Sequence, residues 1–276
     1  METDMSNDRP NIVFLFSDQH RGDALGCVGN TAVRTPNLDG LAADGVTFKN
    51  CSTSSPLCMP ARASLVTGQY VNEHGAWGNR NEADRHGQSH VKNIRDAGYC
   101  TAVFGKTHFK VPQADAGHTR ESAFELNDWG YEVAHEILGE PTSGSYYDDF
   151  LAKRKKLQIH ETAMSTWKMG QGNSTLRPWE HTPCLLEENE HIDAYITNTA
   201  NEWIAQYTDE RPFYLQVALV GPHPPFDAPA RYRDMFDPKD MPPAIMEPPA
   251  EPVSPQVKTM FKRRGLANMT EGQSRL

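Results

Sequence analysis

Three short strand-like runs, Asn11 to Phe16, Thr101 to Phe104 and Phe213 to Val220, constrain this chain most, because each breaks off at polar residues. The first ends at Ser17-Asp18-Gln19-His20, the second at Gly105-Lys106-Thr107-His108, the third at Gly221-Pro222-His223-Pro224. Apolar runs of this length, rich in β-branched and aromatic residues, read as buried strands. Between and beside them lie helix-like segments: Pro36 to Asp44, Met59 to Thr67, Val91 to Ala97 and Glu190 to Tyr207. One more strand is expected over Val46 to Phe48. Strands alternating with helices predict an α/β fold, a mostly parallel sheet with helices on both faces. Such sheets build their sites at the C-terminal strand ends, where these polar clusters fall.

A chain of 276 residues suffices for one sizeable core of this kind. Its net charge of −9 excludes nucleic acid as an expected partner. The longest apolar run, Ile12 to Phe16, is far too short to span a membrane, and the polar leader before it does not resemble a signal peptide. Five scattered cysteines (Cys27, Cys51, Cys58, Cys100, Cys184) lack metal-finger spacing, so a reduced, cytoplasmic setting is expected. In that setting the glycosylation patterns at Asn50 and Asn173 carry no weight. Residues Gly139 to Pro183 read as a polar, irregular insertion over the site. Eleven of the twenty prolines fall between Pro222 and Pro255, which predicts an irregular loop on the substrate side. Gln256 to Leu276 begins like another helix.

The chemistry concentrates around Cys58-Met59-Pro60-Ala61-Arg62, followed by Ala63-Ser64-Leu65-Val66-Thr67-Gly68. Pro60 suits a first helical turn and Gly68 a helix stop. Cys58 would then sit at a helix N-terminus, whose amides favour negative charge. Arg62, one turn on, shares its face. Asp18 and Gln19 offer a carboxylate and an amide oxygen, the ligands a hard divalent cation prefers. Lys106 and His108, flanking Thr107 in an extended segment, would point to the same side and face one anion. His223 is framed by Pro222 and Pro224, which limits its freedom before any ligand arrives. Taken singly, each of these residues fits an ordinary structural role equally well.

Their order is more specific. Asp-Gln, Cys-x-Pro-x-Arg, Gly-Lys-x-His and Pro-His-x-Pro, in that sequence, resemble the sulfatase family, within the alkaline phosphatase-like superfamily. The resemblance implies that Cys58 is oxidised by a formylglycine-generating enzyme to formylglycine, whose hydrate attacks the sulfur of a small-molecule sulfate ester. It implies a metal site at Asp18, Gln19 and residue 58 for one divalent cation, calcium first, with magnesium or manganese open. Arg62 would hold the hydrate oxygen, Lys106 the sulfate charge, His108 the proton lost when sulfate leaves, and His223 the leaving oxygen. Asn79, after Trp77-Gly78, resembles a substrate-binding position.

Two departures stand out. Met59 is bulkier than the small residue usual there, and Gln19 replaces the commoner aspartate. The family's later Asp-His or Asp-Asn metal element occurs nowhere in the 276 residues. The chain, 1–276, therefore reads as the N-terminal catalytic part of a longer sulfatase, cut before the C-terminal part. Three functions follow as expectations: a sulfuric ester hydrolase, a phosphonate or phosphate ester hydrolase of the same superfamily, or a catalytically silent relative.

Overall fold

A computed structural model of the protein describes residues 9–111, 117–137, 144–172 and 184–242, together with 254, 255, 258 and 259; for 166–172 it describes the backbone only. In chain order the elements are β1 (Ile12–Phe16), α1 (Pro36–Asp44), α2 (Cys58–Thr67), α3 (Val71–His74), α4 (His90–Asp96), β2 (Cys100–Gly105), α5 (Phe124–Asp128) and β3 (Val133–Glu136). There follow α6 (Tyr146–Lys153), α7 (Leu157–Gly172), α8 (Ile192–Ala205), β4 (Phe213–Ala218) and α9 (Ala230–Arg233). The strands form one sheet in the order β1-β4-β2-β3, with every pairing parallel. The mixed α/β class with a parallel sheet is as the sequence predicts.

The contacts group the chain into two compact units. The first comprises Met1–His20, Asn50–Leu157 and Glu188–His223, and holds the whole sheet. Every residue of β2 and β4 is buried. Successive strand side chains point to opposite faces, and β2 shows both. Val103 joins Ala63 and Val66 of α2, Val91 of α4, Trp129, Tyr131 and Tyr214 in one core cluster. Phe104 instead meets the Trp203 ring of α8, which also packs edge-on against Phe213. Each such buried apolar side chain contributes roughly 1.5–3 kcal/mol, so helices hold the sheet from both sides.

The second unit comprises Arg21–Lys49, Gln158–Glu187 and Pro224–Leu276. Here α1 is tied to the 3-10 turn Gly26–Val28 by its N-cap Thr35 and by Asp39. The Thr35 hydroxyl accepts from the Gly26 amide at 2.8 Å and the Asp39 carboxylate from the Cys27 amide at 2.7 Å. Between Pro222 and Pro242 the chain forms only short helical turns, as its proline density predicts. Residues 243–253, most of the stretch after Gln256 and the Asn173 pattern lie outside the described residues.

Two expectations fail. Val46 to Phe48 is not a strand: Val46 and Phe48 are 80% exposed and pair with nothing in a sheet. Branched and aromatic side chains favour a strand only where a neighbouring edge receives them. The stretch from Gly139 to Pro183 is not irregular where it is described, since it contains α6 and α7. Ser145 caps α6, its hydroxyl accepting from the Asp148 amide at 3.3 Å, and acidic Asp148 and Asp149 suit the first turn. Tyr147 and Leu151 face inward from that helix. β3 and α5 have no counterpart in the sequence reading. Val-Ala-His-Glu is too short and mixed to signal a strand; pairing recruits it, with Ala102 opposite Val133 through Gly105 opposite Glu136. Among the described residues no helix is long and apolar enough to cross a membrane.

Candidate active site

The ends of β1, β2 and β4 bring Asp18, Lys106, His108 and His223 towards the start of α2. That helix begins at Cys58 after an extended Leu57, and stops where Gly68 turns left-handed, φ 70°, its amide donating to the Ser64 carbonyl at 2.9 Å. Only glycine takes this conformation at no cost. Asn79 supports the first turn, its side-chain oxygen accepting from the Met59 amide at 3.1 Å. The sequence reading assigned Asn79 to substrate; the geometry gives it this tether to the helix start, beside Cys58.

Asp18 is the hub. Only 7% exposed, it accepts a hydrogen bond from Lys106 Nζ at 2.6 Å and lies 3.6 Å from Arg62 Nη2. Its own amide donates to the Gly221 carbonyl at 3.2 Å, which ties the end of β1 to the segment after β4. Burial works against its ionisation, but Lys106 and Arg62 outweigh that, so the carboxyl titrates below its ordinary range. Arg62 is buried under the same logic. Nη1 donates to the Lys106 carbonyl, and the guanidinium stacks over the Phe16 ring with its carbon 4.8 Å from the centroid. Nη2 makes no hydrogen bond and lies at ion-pair distance from the Asp18 carboxylate.

Cys58 Sγ donates to Asp18 Oδ1 at 3.8 Å. Burial first, and then the Asp18 charge, push its thiol up, so it stays protonated at neutral pH. A cysteine that attacks as thiolate needs the opposite environment. The local chemistry therefore points away from an ordinary thiol nucleophile.

Lys106 and His108 are buried beside Asp18, but the segment carrying them is not extended. Gly105 has φ 105° and His108 φ 51°. At Gly105 a Cβ would strike the Ala218 carbonyl oxygen, which explains the glycine. His108 is pushed down to about 4, by burial first and then by Lys106 and Arg62, so its ring is neutral above that value. Its Nδ1 is buried without a partner.

His223, half-buried between two cis prolyl segments, donates its amide to the Val220 carbonyl at 3.1 Å. Asp18, Cys58 and His223 each offer one ligand atom, and these atoms lie within 4.8 Å of one another. Gln19 is exposed, with its backbone at φ 65°. The cluster fits a divalent cation in part. One carboxylate, one imidazole and position 58 fall short of the six or more oxygens a hard cation takes. A thiol at position 58 would suit a softer ion; an oxygen there restores the hard character.

The sequence reading missed Glu136. It is buried at the end of β3 and accepts a hydrogen bond from the Thr107 hydroxyl. A lone carboxylate after a weak strand carries no signal of this.

The sulfatase family profile matches residues 10–244, and the chain belongs to that family. It is 30% identical over 240 residues to an arylsulfatase of Clostridium perfringens, covering 86% of this chain and 48% of the relative. It is 31% identical over 217 residues to a choline-sulfatase of Rhizobium meliloti, covering 70% and 40%. The crystal structure of a phosphonate monoester hydrolase of Agrobacterium radiobacter superposes with a TM-score of 0.67 at 27% identity, covering 87% of this chain and 46% of that one. The chain thus spans about half, or less, of the length of the relatives it matches.

Proposed function

We propose that this chain carries the catalytic centre of a sulfuric ester hydrolase acting on a small-molecule sulfate monoester. The observation that supports it most is the cluster of Asp18, Lys106, Arg62 and His223 around a Cys58 thiol held protonated at a helix start. Conversion of Cys58 to formylglycine by a maturation enzyme would supply a hydrated aldehyde as nucleophile. A divalent cation, with calcium first and magnesium or manganese open, would be held by Asp18, position 58 and neighbouring oxygen donors such as Gln19, and would neutralise sulfate charge.

The side chains have separate tasks. Lys106 and Arg62, both paired with Asp18, direct positive charge at an anionic group, in a site dry enough for that charge to count. Neutral His108 has a nitrogen without a partner and would take the proton lost as sulfate leaves, once a bound anion offsets the burial and cationic neighbours that hold its ring at about 4. His223, beyond β4, would offer a proton to the departing alcohol. The helix start adds the positive end of its dipole on the side of the developing negative charge.

Mass spectrometry of the peptide containing Cys58 tests the reading. An aldehyde at position 58 is the expected result; an unmodified thiol in protein co-produced with a maturation enzyme would sink it. With maturation confirmed, Lys106→Ala should lower sulfate ester turnover by about 10²–10³-fold.

A second reading, a phosphonate or phosphate ester hydrolase, is favoured by two observations: Gln19 beside Asp18, and the likeness to the phosphonate monoester hydrolase. Parallel assays with an aryl sulfate and an aryl phosphonate monoester separate the two.

A further inference from the structure

We propose that Glu136 is a positioning residue that sets the Lys106-Thr107-His108 turn through the Thr107 hydroxyl. The inference rests on the proposed role of that turn in facing an anion.

The turn is built against its local preference. Gly105 and His108 both have positive φ, a region uncommon for any residue but glycine. Something must hold it there. The Lys106 amide donates to the Ala218 carbonyl at 2.8 Å, and the Lys106 carbonyl accepts from Arg62 Nη1. Both ties act on residue 106, and Arg62 Nη1 also reaches the Thr107 carbonyl, at 3.5 Å. The hold on the next residue's side chain is the Thr107 hydroxyl donating to Glu136 Oε1. Thr107 is fully buried and Glu136 2% exposed, so water does not compete for this bond.

Glu136 is well founded for such a task. It lies opposite Gly105 in the β2–β3 pairing, and the Ile137 amide donates to the Gly105 carbonyl at 3.0 Å. The carboxyl is therefore fixed to the same strand end that launches the turn. His108 needs such help, because its buried Nδ1 has no hydrogen bond to orient the ring. Its aim depends on the backbone that carries it.

Stability alone does not explain the choice. A buried carboxyl is costly, and an apolar pair of similar volume is commonly as stable. Glu136 also lines a small cavity of about 20 Å³ with Arg85, Lys110 and Glu125. A residue kept at such cost, with its bond directed into the strained turn, acts on geometry.

The test uses the whole protein, labelled to follow the His108 ring by NMR, with inorganic sulfate as the titrated probe. Thr107→Val removes the hydroxyl at constant shape. It should shift the His108 ring signals and weaken sulfate about tenfold, the smaller end of the range for such supporting bonds. Glu136→Gln keeps an acceptor and should remain near wild type in both readouts. Unmoved His108 signals in Thr107→Val overturn the inference, as does Glu136→Gln matching Thr107→Val. If Thr107→Val does not fold, Thr107→Ala and Thr107→Ser decide: only the serine should preserve the His108 signals, and equal spectra overturn it. A wild-type protein that ignores sulfate counts against the proposed function, while the His108 spectra still judge Glu136.

Discussion

β1 and β4 lie side by side in register, both apolar, in opposite surroundings. β4 buries all six residues, whereas Val13 and Leu15 of β1 are 50% and 57% exposed. Ile12, Val13 and Phe14 border an open groove of about 620 Å³, shared with Leu65 of α2 and Tyr214. Yet both strands deliver residues to one cluster, and the exposed strand delivers a buried one, Asp18. Burial of a site residue is thus not inherited from the strand beneath it. It is made by what closes over the strand end: Lys106, Arg62 and the amide bond to the Gly221 carbonyl.

The largest effect should therefore come from the end of the exposed strand. Asp18→Ala leaves Lys106 and Arg62 buried together without their counter-charge. Breaking a buried pair on one side costs about 3–5 kcal/mol, readable by urea unfolding. A loss below about 1 kcal/mol, the level of an exposed pair, would mean that the cluster is wet and the contrast false. Next comes the shaft of β4. Leu215 is fully buried, and Leu215→Ala should cost about 2–5 kcal/mol in the same assay.

These two numbers also separate what was legible in the sequence from what was not. The sheet strands were legible where apolar runs end in polar clusters, and so was the helix from Met59 to Thr67, because propensity, pattern and Gly68 agree. Residue order alone singled out Asp18, Cys58, Lys106 and His223, which the fold brings together. The depth of β1 was not legible, since an apolar run reports a strand and not what covers it. The α6 helix stayed hidden behind polar composition, because Ser145 acts as a cap only once Tyr147 and Leu151 find a core. β3 was invisible for a related reason: its four residues owe their form to the edge of β2. Glu136 and the positive φ of His108 are long-range consequences of that pairing, beyond any local pattern.

Acid offers a third probe of the buried end of the sheet. His108 and His135 are both pushed down to about 4, in each case chiefly by burial; His135 is stacked on Phe104 and Tyr146. An unfolded histidine titrates near 6.5. Between about pH 6.5 and 4 each of these histidines binds more protons in the unfolded chain than in the folded one, so their contribution to stability falls as pH drops through that window. Glu136, pushed up by burial, acts in the opposite sense. The contribution of Asp18, whose carboxyl is depressed, is fully present above about pH 4 and is lost only below it. Urea midpoints across the window should decline, and His135→Phe should remove part of the decline, leaving the shares of His108 and His74. Flat midpoints would mean that these rings are hydrated.

The smallest effect is the sharpest control, because it repeats one substitution on the neighbouring strand. Leu15→Ala removes the same atoms as Leu215→Ala, from a side chain 57% exposed instead of buried. Little apolar area returns to water, so the change should stay within about 0.5 kcal/mol. The two leucines differ in cover and not in chemistry, and pairing with β4 holds the β1 backbone in either case. A loss at Leu15 equal to that at Leu215 would show β1 covered in solution, and the difference between the strands would vanish. A loss near zero, with Asp18→Ala still severe, would leave β1 as an exposed strand whose last few atoms alone are held tightly.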